Sequence, residues 1–194
     1  YLIMELKEKL QILLNKFNAG QYDEVIFEAT HFAKRYSKEE VFINLISTCY
    51  QAQGKYEKSV KILEEEINKG RNNFSFLNNL GLSHFKLKNI QKAEDAYFKV
   101  LEINPRFINT LNNLSVLYIE LNDFEKAEKY LRQSLEINSD VLETNFNLAT
   151  ILQGRGKLDE AKLFFEKTLK INKNFTRSDL ALVMLEKYNP NDER

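Results

Sequence analysis

The chain has 194 residues, 28 of them basic and 28 acidic, so its net charge is zero; it is 43% hydrophobic, with only 6 Gly and 2 Pro. The two signs are interspersed, which excludes the basic stripe that grips nucleic acid, and no apolar run reaches the roughly 18 residues of a membrane span. Scarce turn-formers beside abundant Leu, Lys, Glu and Ala make an all-α chain the expectation.

The opening Tyr1-Leu2-Ile3-Met4 is too short for a signal peptide, and either Met4 is the natural start or the chain is cut from something longer. From Glu5 to about Asn18, Leu6, Leu10, Leu13, Leu14 and Phe17 recur at helical spacing. Ala19-Gly20 stops this helix, and Tyr22 opens a second through Val25, Ile26, Ala29, Phe32 and Ala33. The interval from Gly20 to Gly54 equals that from Tyr22 to Tyr56, so a second pair begins in register. Its first helix carries Val41, Leu45, Ile46, Cys49 and Tyr50; its second runs from Tyr56 to about Asn68, with Ser59 at a small position. Cys49, the single cysteine, is expected to be a buried reduced thiol, which rules out an internal disulfide and fits a reducing, cytoplasmic compartment.

Three further pairs follow with the same period. Leu80, Leu114 and Leu148 repeat at that interval, as do Asn79, Asn113 and Asn147, and Ala93, Ala127 and Ala161. The Ala column continues Ser59, and small residues there let two helices approach closely. Ile90, Phe124 and Leu158 continue the column of Tyr22 and Tyr56, and Asn104, Asn138 and Asn172 mark where second helices stop. After Phe175 a sixth first helix starts without a partner, and its run Leu180-Ala-Leu-Val-Met-Leu185 is apolar all the way round. A capping helix normally keeps a polar outer face, so Leu180, Val183, Met184 and Leu185 are expected to contact a second copy or a following domain.

From Leu77 the sequence reads Leu-x₂-Leu-Gly-x₂-His, then Ala93-x₃-Tyr97, then Pro105. This resembles the tetratricopeptide repeat consensus W-x₂-L-G-x₂-Y, A-x₃-F and P. The resemblance implies a right-handed α-solenoid of five helix-turn-helix repeats, at about 5–39, 40–73, 74–107, 108–141 and 142–175. A C-terminal helix at 176–188 and a polar tail at 189–194 would follow.

The resemblance also implies that first helices line a concave groove. One column there carries Asn79, Asn113 and Asn147; the position before carries Asn44, Asn78 and Asn112, then Phe146. An Asn amide offers both donors and an acceptor, the complement of a peptide backbone. First helices about 10 Å apart would meet an extended peptide, rising about 3.3 Å per residue, every three residues or so. This is similar to the asparagine ladder of O-linked N-acetylglucosamine transferases, although Asn before Leu-Gly is also common across the family whatever the ligand. The carboxylate clamp of chaperone-tail receptors needs Lys and Arg, and its positions here hold Val41, Ser75, Asn109 and Glu143.

His31 and His84 have no Cys or carboxylate at ligand spacing, and His84, in place of a consensus Tyr, is expected to be structural. No phosphate cradle or nucleophile motif occurs, so neither catalysis, a metal nor a cofactor is expected. Glu64-Glu65-Glu66 reads as a solvated convex face, and Phe164-Phe165 as interior. The segments Thr176–Leu180 and Lys187–Asp192 resemble the junction in bacterial proteins that join these repeats to a sulfotransferase domain. Two functions therefore stand as expectations. One is a non-catalytic scaffold for a protein or extended peptide; the other is the substrate-presenting module of a sulfotransferase or glycosyltransferase whose catalytic domain lies beyond Arg194.

Overall fold

Amphipathic stretches of 12 to 17 residues, cut at regular intervals by turns, fold into helices throughout. The computed structural model describes residues 2–36, 39–71 and 73–187, and among them eleven helices and no strand are present. They divide into two compact units, Tyr1–Pro105 and Arg106–Arg194.

The first unit holds α1 (Leu2–Asn18), α2 (Tyr22–Arg35), α3 (Val41–Ala52), α4 (Tyr56–Asn68), α5 (Phe74–Lys86) and α6 (Ile90–Ile103). Each packs on its neighbours in sequence, and α3 also lies beside α5. Second helices begin at Tyr22, Tyr56 and Ile90, as the register predicts. The turns before them need a left-handed residue, which Gly20 and Gly54 supply at φ of 77° and 70°. Lys88 occupies the third such turn at φ 62°, an angle that crowds a Cβ.

The core of this unit includes Leu13, Val25, Phe42, Ile46, Cys49, Leu63 and Phe76. Burial pushes the Cys49 thiol up to about 11, so it stays protonated. Between α3, α4 and α5 three buried serines also meet. Ser59 lies 2.8 Å from Ser47 and 2.9 Å from Ser83, and the Gln51 amide donates to Ser83 and to the Asn79 carbonyl. Mutual bonding is what makes three buried serines tolerable.

The tightest approach is at Gly81, where an added Cβ would come within 2.6 Å of the Tyr97 ring. Tyr97 is fully buried, and its hydroxyl has no hydrogen-bond partner. Desolvation accordingly pushes that phenol well above its ordinary range.

The second unit holds α7 (Ile108–Glu120), α8 (Phe124–Ile137), α9 (Leu142–Gly154), α10 (Leu158–Ile171) and α11 (Thr176–Lys187). Here too each helix packs on the next. Ala127 and Ala161 are fully buried, as Ser59 and Ala93 are in the first unit, so the small column does sit in the helix contacts. Asn122 and Gly156 take the left-handed turns at φ 57° and 75°. Buried Thr168 and Ser178 join α10 to α11 through their hydroxyls.

Several expectations need correction. Leu114 and Leu148 are fully buried but Leu80 only partly, against the α1–α5 core. Glu66 is not solvated. It is 6% exposed, and its carboxylate folds onto Lys69 at 2.7 Å and Arg71, both beyond the end of α4. Asn104, Asn138 and Asn172 do end second helices, but with φ between −138° and −144°, extended backbone; after α4 it is Gly70, at φ 85°, that is left-handed. Helix α1 starts at Leu2 instead of Glu5. Tyr188 and the polar tail at 189–194 lie outside the described residues.

Three substitutions probe this packing. Leu114→Ala should cost about 2–5 kcal/mol through the cavity it leaves. Gly81→Ala should cost about 1–3 kcal/mol by overpacking against Tyr97, whereas Tyr97→Phe should be neutral or stabilising because it deletes a buried unpartnered hydroxyl. Urea unfolding measures all three, and a Gly81→Ala protein as stable as wild type would contradict the close approach.

Candidate functional site

Helices α7, α9 and α11, with the start of α8, line a cavity of about 480 Å³ in the second unit. Its apolar wall comes from Ile119 near the end of α7, Phe124 at the start of α8, and Phe146 and Ile151 of α9. Asn147 and Thr150 add polar atoms from α9, and two guanidiniums, Arg155 and Arg177, complete the lining. A volume of this size falls among ligand clefts of roughly 300–1,000 Å³.

Each cation is held differently. Arg155, which caps the end of α9, places Nη1 2.6 Å from Glu128 Oε2. Glu128 is nearly buried and also takes Arg132 at 2.8 Å and Lys157 at 3.4 Å, while Arg132 reaches on to Glu160 at 2.5 Å. Burial pushes the Glu128 carboxyl up, but the hydrogen bond and charge of Arg132, with the charge of Lys157, outweigh it and hold the group below its ordinary value. This network ties the turn after α9 to α8 and α10.

Arg177, near the start of α11, places its guanidinium carbon over the Phe146 ring, 4.0 Å from the centroid, and 5.4 Å from that of Phe175. Phe146 in turn sits 5.3 Å from Phe175, edge-on, and 5.7 Å from Phe165. The acidic partner of Arg177, Glu143, is 3.4 Å away and both side chains are more than half exposed. Such a pair contributes little and exchanges readily, so the aromatic face is what orients the guanidinium.

The asparagine columns divide between the units. In the first, Asn79 Nδ2 donates to Asn44 Oδ1 at 3.3 Å, both half-buried, whereas Asn78 is turned inward at 7% exposure. In the second, Asn112 Oδ1 accepts from Thr144 Oγ1 at 3.0 Å, Asn113 is half-buried, and Asn147 lines the cavity. On α11, Leu180, Val183 and Met184 are 63%, 46% and 54% exposed, while Leu185 is buried within the unit. His84 is buried beside Glu64 at 3.8 Å, and desolvation pushes its pKa down, as suits a neutral packed ring. His31 lies on the exposed face of α2 against Phe27.

Two cavity residues escaped the sequence reading. Phe146 interrupts an asparagine column, and the interruption proves to be the aromatic wall. Arg177 stands one period after Glu143 and so extends the column Val41, Ser75, Asn109, Glu143 by one step. Carrying that column into α11 would have found it.

Helical hairpins repeated at one constant period define a solenoid of helical repeats. Tetratricopeptide repeat models match residues 75–107, 108–141 and 147–174, and the chain is a tetratricopeptide repeat protein. No curated protein matches it in sequence. Among solved structures it is similar to PilF of Pseudomonas aeruginosa (TM-score 0.80, 15% identity, covering 93% of this chain and 82% of that one). It is also similar to TTC0263, a thermophilic protein of this class from Thermus thermophilus (0.76, 16%, 93% and 98%). A third, YrrB, is described as a TPR protein with an unusual peptide-binding site (0.64, 12%, 88% and 88%). Among the described residues no helix is long and apolar enough to cross a membrane, and no cluster of His, Cys, Asp or Glu is arranged to hold a metal.

The Glu128 network has a pH signature. A carboxyl held below its ordinary value in the fold stabilises above that value, and the contribution is lost as pH falls through the lowered one. Glu128→Gln should therefore cost about 1–3 kcal/mol at neutral pH, and its difference from wild type should shrink as pH drops below 4.5. Thermal melts of both proteins across acid pH test this; a constant difference down to the acid transition would contradict it.

Proposed function

We propose that the chain is a non-catalytic scaffold that binds an extended peptide or protein segment along the asparagine-bearing sides of its first helices. The observation that carries this reading is the placement of Asn44, Asn79, Asn112, Asn113 and Asn147. All five are half-buried on first helices, close enough to the surface for a ligand and anchored enough to present their amides in fixed directions. A backbone meeting such amides gains hydrogen bonds to both its N–H and C=O groups whatever its side chains. The peptide-binding site of YrrB, a protein of similar fold, supports the same class of ligand. In this proposal α1 to α10 pair as five repeats, of which the first two have drifted furthest from the consensus.

Replacing Asn79, Asn113 and Asn147 together with Ala should leave the far-UV circular dichroism and melting temperature nearly unchanged. Binding of a peptide selected on the wild-type chain should weaken by roughly 0.5–1.5 kcal/mol per lost bond, read by fluorescence polarisation. A triple variant that unfolds would make these asparagines structural. One that binds with wild-type affinity would remove them from the site.

A further inference from the structure

Within that peptide-binding reading, we propose that the cavity of the second unit is an anchor site for a segment that pairs one large apolar side chain with a carboxylate close to it in sequence. The wall decides the apolar half. Ile119, Phe124, Phe146 and Ile151 converge there, and Phe124 remains 40% exposed although it opens a helix where its counterparts Tyr22, Tyr56, Ile90 and Leu158 are better covered. A large apolar side chain seated against Phe124 and Phe146 removes that surface from water.

Charge decides the other half. Among the described residues, both ionised groups lining the cavity are guanidiniums, and no carboxylate lines it. Arg155 is committed to nearly buried Glu128 at 2.6 Å. Arg177 has only the exposed Glu143 at 3.4 Å, so its fork of donors is available to an incoming carboxylate. Contact with the Phe146 ring at 4.0 Å already restrains that guanidinium, so less side-chain entropy is lost on binding. Asn147, beside both, offers its amide to the backbone that joins the two side chains. A small organic acid shares part of this chemistry but supplies no backbone for Asn147.

The test is to pan a phage-displayed library of short random peptides on the full chain and to measure the enriched sequences as synthetic peptides by fluorescence polarisation. The proposal expects an aromatic or large aliphatic residue with Asp, Glu or the free C-terminus within two positions. Affinity should fall at least about tenfold in Arg177→Gln, and in Thr150→Trp, which fills the cavity from an exposed position. Raising salt should weaken wild-type binding and change Arg177→Gln binding less. Circular dichroism establishes that both variants fold, and if either does not, Arg177→Lys and Thr150→Phe replace them with the same expected direction. Enriched peptides without a carboxylate, or with affinities unmoved by both variants, overturn the proposal. If such peptides still depend on Asn79 and Asn113, the groove reading survives while the anchor site fails; if no peptide enriches, both fail. Saturable binding of 3-phenylpropionate as tight as that of the peptides would make this a small-acid site and overturn the peptide assignment.

Discussion

How near the two helices of a hairpin can come decides most of what this fold does. At one column, Ser59, Ala93, Ala127 and Ala161 are all fully buried, because nothing larger fits where the backbones cross. A second column, Gly81, Ser115 and Ala149, is buried as well, and opposite Gly81 the Tyr97 ring leaves no room even for a methyl group. Tyr97, Leu131 and Phe165 share a register across from it and are all buried, so large side chains fill what the small ones vacate. That exchange of volume maintains close packing with little sequence identity between repeats. Val183 is the exception: it stands one period after Ala149, and on α11 it is exposed.

Polar groups reinforce the apolar contacts in two ways. Between α3, α4 and α5 the uncharged hydroxyls of Ser47, Ser59 and Ser83 satisfy one another. As Glu66 collects Lys69 and Arg71 in the first unit, Glu128 collects Arg132, Arg155 and Lys157 in the second. Several partly exposed cations around one nearly buried carboxylate meet its desolvation cost better than a single buried pair would. The consequence is functional as well as structural, since the same carboxylate immobilises one of the two guanidiniums of the cavity.

The constant period was enough to place second-helix starts at Tyr22, Tyr56, Ile90, Phe124 and Leu158, because a repeat writes the same contact many times. What the period misses is whatever happens once. Left-handed turns at Lys88 and Asn122 were invisible because such a conformation is announced by residue type at Gly20, Gly54, Gly70 and Gly156 but not at Lys or Asn. Glu66 looked solvated among acidic neighbours, since its cations Lys69 and Arg71 reach it only after the chain leaves α4. Leu80 follows its column yet is less buried than Leu114 and Leu148, since it packs at the edge of the α1–α5 core. The cavity was hidden for the same reason. Phe146 and Arg177 are departures from their columns, and a departure acquires meaning only from what stands beside it in space.

Recognition falls to the first helices, with Phe124 at the start of α8 as the one second-helix contact. Photo-crosslinking with a panned peptide carrying a benzophenone side chain, followed by mass spectrometry, reads that assignment directly on the wild-type chain. The expected crosslinks fall within 41–52, 74–86, 108–120, 142–154, the start of α11 and Phe124, with the rest of the second-helix segments unlabelled. Crosslinks concentrated in 56–68, 90–103, 125–137 or 158–171 would place the ligand on the opposite helices and contradict that assignment.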